Sequence, residues 1–403
     1  MSATSDSDHP SGISKADRLR GLIAAITCIS VYGIVGGMSG PLISLKMEAA
    51  GIGSSIIGMN AAAMAGGILF VSPFIPRLTA LLGARLFLVS CLVSEIILVL
   101  CFPLTENIWL WFVIRLLMGA SVCGLYVISE TWINQLVSDA YRGRVLAIYA
   151  TCLSLGFMIG PTLITITGIE GWLPFLTGAG ILVVAILPMT MAGNSAIALG
   201  EKPSFSILKF FRLAPSLALA TLLVSFFEMA APNILPIYGV DHGMEITSAA
   251  LMATFMGGGG VILLLPIGWL ADKMSRMILM AICAFVAAIA ALSLPWIVNN
   301  LVLLFAVLLI LGGTVHGVYS CSMAILGARF KGGDLVAGNA ALSMIWAIGS
   351  LTGPASLGVS MDLAPHFGAP AILALACGAF AIFALIRHYQ HQRSANNQTT
   401  GLT

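Results

Sequence analysis

Five ionisable side chains stand inside long apolar runs of this chain: Glu95, Arg115, Glu130, Glu228 and His316. In hydrocarbon such a group costs roughly 2.5–3.5 kcal/mol or more at a helix centre, so each calls for a partner or a task. Arg115 stays charged and suits an anionic or carbonyl-bearing ligand. Glu228 is flanked by Phe226, Phe227, Met229 and Ala230. Desolvation by such neighbours favours the neutral form of a carboxyl, which is the chemistry of a proton carrier. His316 can exchange a proton near physiological pH, or serve only as a hydrogen-bonded packing residue. Arg115 and Glu228 lie at similar depth in their runs. Glu95 lies at a comparable depth and offers Arg115 a second partner, as a fixed structural bridge. Tyr126 follows Arg115 by eleven residues and Tyr319 follows His316 by three, so on helices each shares a face with its neighbour. Tyr32, Phe227, Tyr238 and Trp346 are available as aromatic walls.

Other chemistries find no support. No serine–histidine pair, metal-ligand cluster or pair of catalytic carboxylates occurs at a recognisable spacing, so the chain is not expected to be an enzyme. No metal site and no cofactor are expected. No glycine-rich lysine loop is present, which argues against nucleotide-driven work. The eight cysteines are scattered singly through apolar runs and are expected to pack between helices.

The elements that hold these residues follow from composition. The chain is 59% hydrophobic and 8% charged, against about 25% charged for a soluble domain. The bilayer is the expected solvent, and each crossing needs roughly 20 apolar residues. Twelve runs qualify, at about 20–43, 54–76, 86–104, 107–131, 144–167, 172–191, 211–238, 247–270, 277–298, 301–325, 335–360 and 368–386. Lipid demands that the backbone satisfy itself, so these are expected helices of an all-α membrane protein. With an even count both termini share a side. Placing them inside puts sixteen of the eighteen Lys and Arg residues inside, leaving Lys46 outside and Arg115 within a run. The net charge of +2, with no basic patch beyond the membrane flanks, gives no reason to expect nucleic acid.

The expected domains are an N-terminal tail (1–19), a first six-helix half (20–191), a cytoplasmic linker (192–210), a second half (211–386) and a C-terminal tail (387–403). The polar ends, about 1–17 and 389–403, read as disordered. The halves repeat one another at an offset of 193 residues, which carries Gly119 onto Gly312, Gly124 onto Gly317, Tyr126 onto Tyr319, Gly160-Pro161 onto Gly353-Pro354 and Gly66-Gly67 onto Gly259-Gly260. Such duplication in an apolar chain points to two membrane halves facing one binding site.

Several short motifs then carry a family likeness. The stretch Gly268-Trp-Leu-Ala-Asp272-Lys273-Met-Ser275-Arg276 resembles the glycine–aspartate–arginine loop of the major facilitator superfamily, with Ser275 in place of the second glycine. Its counterpart, Pro76-Arg77-Leu-Thr-Ala80-Leu-Leu-Gly83-Ala-Arg85, lacks the opening glycine and has Ala80 in place of the aspartate. Arg115-x-x-x-Gly119 is similar to the basic motif of helix 4, and Gly156-x-x-x-Gly160-Pro161 to the helix-5 motif of exchangers. Glu130 followed by Arg142-Gly143-Arg144 resembles the glutamate–arginine pairing at the cytoplasmic ends of helices 4 and 5. The likeness spans the membrane part and implies a twelve-helix transporter of the inner membrane, with both termini cytoplasmic and a central cavity.

The resulting expectation is a proton-coupled secondary active transporter of a small organic solute, working as a monomer in the lipid bilayer, with export favoured over uptake. An uptake permease for a vitamin-like or other organic nutrient, and a solute sensor that does not transport, are the alternatives. Arg115, Glu228, His316, Tyr126, Tyr319, Tyr32 and Trp346 are the expected binding or coupling residues. Asp272, Glu130, Arg142 and Arg276 are the expected gate.

Overall fold

Glycine and proline mark where the apolar helices approach and bend. The computed structural model describes residues 15–137, 139–191, 210, 212–329 and 332–400. Eleven of its helices are long and apolar enough to cross a membrane, and Leu173–Met191 is a shorter twelfth. The first half comprises α1 (Lys15–Ala49), α2 (Ser54–Leu82), α3 (Ala84–Leu104), α4 (Ile108–Leu136), α5 (Asp139–Ile159, continued to Thr167) and α6 (Leu173–Met191). The second comprises α7 (Pro215–Asp241), α8 (Ile246–Lys273), α9 (Arg276–Ile297), α10 (Leu301–Arg329), α11 (Gly332–Leu363) and α12 (Gly368–Thr400). No strand occurs among the described residues.

Proline sets the local breaks because it donates no N–H to the helix ladder. A 3-10 turn at Ser72–Phe74, beside Pro73 and Pro76, bends α2, and Gly160-Pro161 opens another at Gly160–Leu163 in α5. Pro232 and Pro236 lie inside α7, and Pro232 leaves the carbonyl of Glu228 without its usual donor.

The duplicated glycines are where backbones touch. A Cβ on Gly67 would overlap the carbonyl of Leu116, and one on Gly119 the carbonyl of Met64. In the second half, Gly259 meets Leu309 and Gly312 meets Met256 in the same way. Small residues let membrane helices approach to this distance, where packing rather than the hydrophobic effect holds them together. The contacts also refine the repeat. Gly119 maps onto Gly312 as expected, but Gly67 maps onto Gly259, one residue short of the offset expected from sequence. The halves therefore differ by one residue between their second and fourth helices.

The chain's C-terminal part departs from expectation. Polarity alone placed a disordered tail from about residue 389, whereas α12 continues to Thr400. Between Arg387 and Thr400 there is no glycine or proline to stop it. The change in polarity marks where the helix leaves the apolar layer, not where it ends. At the other end α1 begins at Lys15. The linker 192–209 lies outside the described residues.

Alternating helices give the bundle two faces. One, the termini face, carries the start of α1, the end of α12 and the loop with Asp272. The other, the distal face, carries the ends of α1, α7 and α11. Hydrogen bonds join the two halves toward the distal face, Asp362 with Ser54 and Ser55, Arg115 and Ser44 with Asn233, and Thr162 with Thr254. The molecule is therefore clasped at the distal face.

Candidate functional site

Glu228 on α7 and His316 on α10 meet midway along their helices, with Oε1 and Nε2 3.0 Å apart. The local sequence prepares the contact. His316 Nδ1 reaches back one turn to the carbonyl of Gly312 at 2.8 Å, which fixes the ring. Gly260 on α8 leaves the space that the ring occupies, since a Cβ there would strike it. A carbonyl oxygen only accepts, so Nδ1 carries a hydrogen. Nε2 and the carboxyl must then hold a second one between them, either as imidazolium with carboxylate or as imidazole with carboxylic acid. Both side chains keep access, at 26% and 31% exposed.

Aromatic rings flank the pair from both halves. Tyr319 stands edge-on to Trp346, ring centroids 5.5 Å apart. Tyr126 stands edge-on to Tyr32 at 5.7 Å, and Tyr32 in turn meets Phe157. Glu228 lies within electrostatic reach of both Tyr126 and Tyr319. The repeat-equivalent tyrosines thus approach one carboxyl from opposite halves. Such a surface can stack a planar or apolar body and hydrogen-bond its polar edge.

Arg115 meets only neutral oxygens among the described residues. It is 2% exposed and pairs with neither Glu228 nor Glu95. Its Nε donates to Asn60 Oδ1 at 3.3 Å, and its Nη2 reaches the Gly40 carbonyl and Asn233 Oδ1, each at 3.4 Å. Asn233 Nδ2 donates to Met229 O and Ser44 Oγ reaches Asn233 Oδ1, so one amide ties α1, α4 and α7 together. Glu95 is 1% exposed, and neither carboxyl oxygen has a hydrogen-bond partner. The expected pairings assumed that a buried charge seeks an opposite charge. A guanidinium presents five donors, and neutral oxygens from three helices satisfy several of them.

The expected gate residues are spread over the termini face. Asp272 is exposed, with no hydrogen-bond or ion-pair partner among the described residues. Arg276 Nη1 donates to the Ala324 carbonyl at 3.0 Å and ties the start of α9 to α10. Glu130 lies exposed near the end of α4. The side chain of Arg142 lies outside those described.

Sequence reasoning missed Asn60, Asn233 and the distal-face residues. Its signal for the first two was available, since each is an amide in an apolar run. The distal residues Glu48, Asp241, His242, Asp362 and His366 stand at helix ends and connections, where no sequence signal marks them.

The family model described as Major Facilitator Superfamily matches residues 25–216 and again 217–401, once per half. An uncharacterised MFS-type transporter of Bacillus subtilis, YfkF, is 25% identical over 350 residues, covering 84% of this chain and 88% of that protein. A second, YE1530 of Yersinia enterocolitica, is 27% identical over 263 residues, covering 64% and 67%. Among solved structures, the nucleoside transporter NupG superposes with a TM-score of 0.71 at 13% identity, over 94% of this chain and 98% of NupG. A bacterial homologue of the human lysosomal transporter Spinster, inward-facing and occupied, gives 0.71 at 14% identity, over 93% and 96%.

Proposed function

The chain belongs to the major facilitator superfamily, a family of secondary transporters, and on that premise we propose that it exchanges protons for a small organic solute by alternating access. The observation that supports the reading is the Glu228–His316 contact at 3.0 Å, with ring pairs of both halves, Tyr32–Tyr126 and Tyr319–Trp346, around it. In the proposed cycle, solute arriving between Tyr126, Tyr319 and Trp346 competes with that proton. A charged pair without its proton has different burial costs in the two states of the transporter, which is how protonation biases one state over the other.

The Lys and Arg distribution supports a cytoplasmic termini face. On that orientation the clasped distal face is external, and the state described is inward-open. Arg115 then belongs to the external closure in this state rather than to the solute. Asp272, Glu130, Arg142 and Arg276 belong to the opposing, cytoplasmic closure, and Asp272, which has no partner among the described residues, fits a closure that is open. Export is favoured because α5 carries the Gly-Pro motif of exchangers, with Gly156 and Gly160 pressed against the α1 backbone at Gly33 and Gly37.

A thermal-shift screen of purified protein against metabolites, vitamins and drugs would supply the solute. Its affinity measured against pH then tests the direction. Export by exchange requires tighter binding as pH rises, because proton and solute compete. Tighter binding as pH falls would instead identify a proton-coupled uptake permease, and binding without exchange in liposomes would identify a sensor.

A further inference from the structure

The distal face carries a second set of titratable groups that the transport reading does not use. Asp362, in the last turn of α11, accepts from the backbone N–H groups of Ser54 and Ser55 at 3.0 Å each. These open α2, in the other half. The helix's own N-cap position is Gly53, which has no side chain to offer. A carboxylate from one half thus caps a helix of the other and lies at its positive end.

Beside it, Glu48 at the end of α1 and Asp241 at the end of α7 share a side-chain hydrogen bond across the same boundary. Two carboxylates have no donor between them, so this contact exists only while one proton is present. Asp362 is near enough to act electrostatically on both. The remaining charged groups at this face are accounted for. Lys46 faces Glu170 at 4.0 Å within the first half. Glu245, just before α8, and Glu106, just before α4, are exposed. His242 Nε2 and His366 Nδ1 are 2.5 Å apart, while His242 Nδ1 meets the Tyr238 carbonyl and Tyr238 Oη donates to the His366 carbonyl. That brace joins the end of α7 to the α11–α12 connection within the second half. It needs one hydrogen between the rings and tolerates one more on the far nitrogen of His366. Asp241 and Asp362 are therefore held on one braced surface that meets Glu48 and Ser54 on the other.

We propose that Glu48, Asp241 and Asp362 form a proton-operated latch between the two halves, closed while one proton sits between Glu48 and Asp241 and Asp362 caps α2, and released when that proton leaves. Without it, three carboxylates face one another with no donor between the first two, and like charges at contact distance repel. These are positioning residues for the transport cycle. They set how readily the distal face opens, and do so from the pH on that side. The proposal rests on the alternating-access reading, but its test uses neither solute nor a proton gradient, so the two can fail separately.

The test is a spin-label distance between Glu106→Cys and Asn299→Cys, both exposed distal-loop positions in opposite halves, in the full chain freed of its native cysteines and held in nanodiscs. Wild type should be closed at about pH 5 and shift toward a longer distance at about pH 9, because a carboxyl that shares its proton with a second carboxylate releases it well above the ordinary carboxyl range. Glu48→Gln should stay closed at both, because its amide donates to Asp241 without a proton. Asp362→Asn should raise the open-to-closed ratio roughly tenfold at either pH, as expected for losing a charged helix cap. A wild-type distribution that does not move with pH, or a Glu48→Gln protein that moves as wild type does, overturns the proposal. As a check without cysteine replacement, amide exchange of the 54–60 segment should quicken in Asp362→Asn; unchanged protection would remove Asp362 from the latch.

Discussion

His316 Nε2 lies 3.0 Å from Glu228 Oε1, while the ring's other nitrogen is committed to the carbonyl of Gly312. The imidazole can therefore pass a proton only toward the carboxyl. His316→Gln keeps a donor at that position but cannot carry a proton. Transport driven by a pH gradient should fall roughly tenfold or more, as for removing a positioned proton-transfer group, while solute exchange without a gradient survives. Initial rates in proteoliposomes measure both, and a driven rate equal to wild type would take the imidazole out of coupling.

Arg115 and Asn233 give a prediction about the resting state. Asn233→Asp would place a carboxylate 3.4 Å from a guanidinium that now meets only neutral oxygens. A buried, hydrogen-bonded ion pair across the halves should hold the distal face shut. Exchange should slow by about tenfold or more, with solute affinity from the termini face preserved. Faster exchange would mean that this contact does not restrain opening.

The helix contacts give a stability prediction with an internal control. Gly119→Val drives a branched side chain into the Met64 carbonyl, whereas Gly66 has nothing within 4 Å of an added Cβ. The first should cost about 3 kcal/mol or more and lower the melting midpoint in detergent by several degrees. Gly66→Ala should be neutral or slightly stabilising, as expected for replacing a helical glycine. Equal midpoints for the two variants would contradict the close α2–α4 approach.

The twelve helices and their duplication were legible because lipid imposes one simple requirement, a long apolar run, and because small residues recur where backbones touch. Glu228 and His316 each stood out as ionisable groups in apolar surroundings. Their pairing did not, since it is set by α7 packing on α10, across 88 residues of chain. Arg115 was legible as a residue needing partners, yet its partners were sought among acids, and Asn60 and Asn233 carry no charge to draw attention. Asp362 could not be read from sequence at all. Its meaning comes from the opposite half's α2 arriving within hydrogen-bond reach, and no local pattern encodes that arrival.

The orientation predicts different labelling of two exposed positions. Ala80→Cys lies at the termini-face end of α2 and Glu106→Cys at the distal start of α4. In a cysteine-free background, a membrane-impermeant thiol reagent should label Glu106→Cys in intact cells and Ala80→Cys only after permeabilisation. The reverse pattern would invert the membrane orientation and, with it, the side from which the latch senses pH.

The most direct measurement concerns Glu228 itself. Glu228→Gln keeps the size and a hydrogen-bonding group beside His316 but cannot release a proton. In proteoliposomes the variant should exchange solute at equal concentrations on both sides yet fail to move it against its gradient when a pH gradient is imposed. Wild-type concentrative transport by the Glu228→Gln protein would contradict the account, and would return Glu228 to a structural role beside His316.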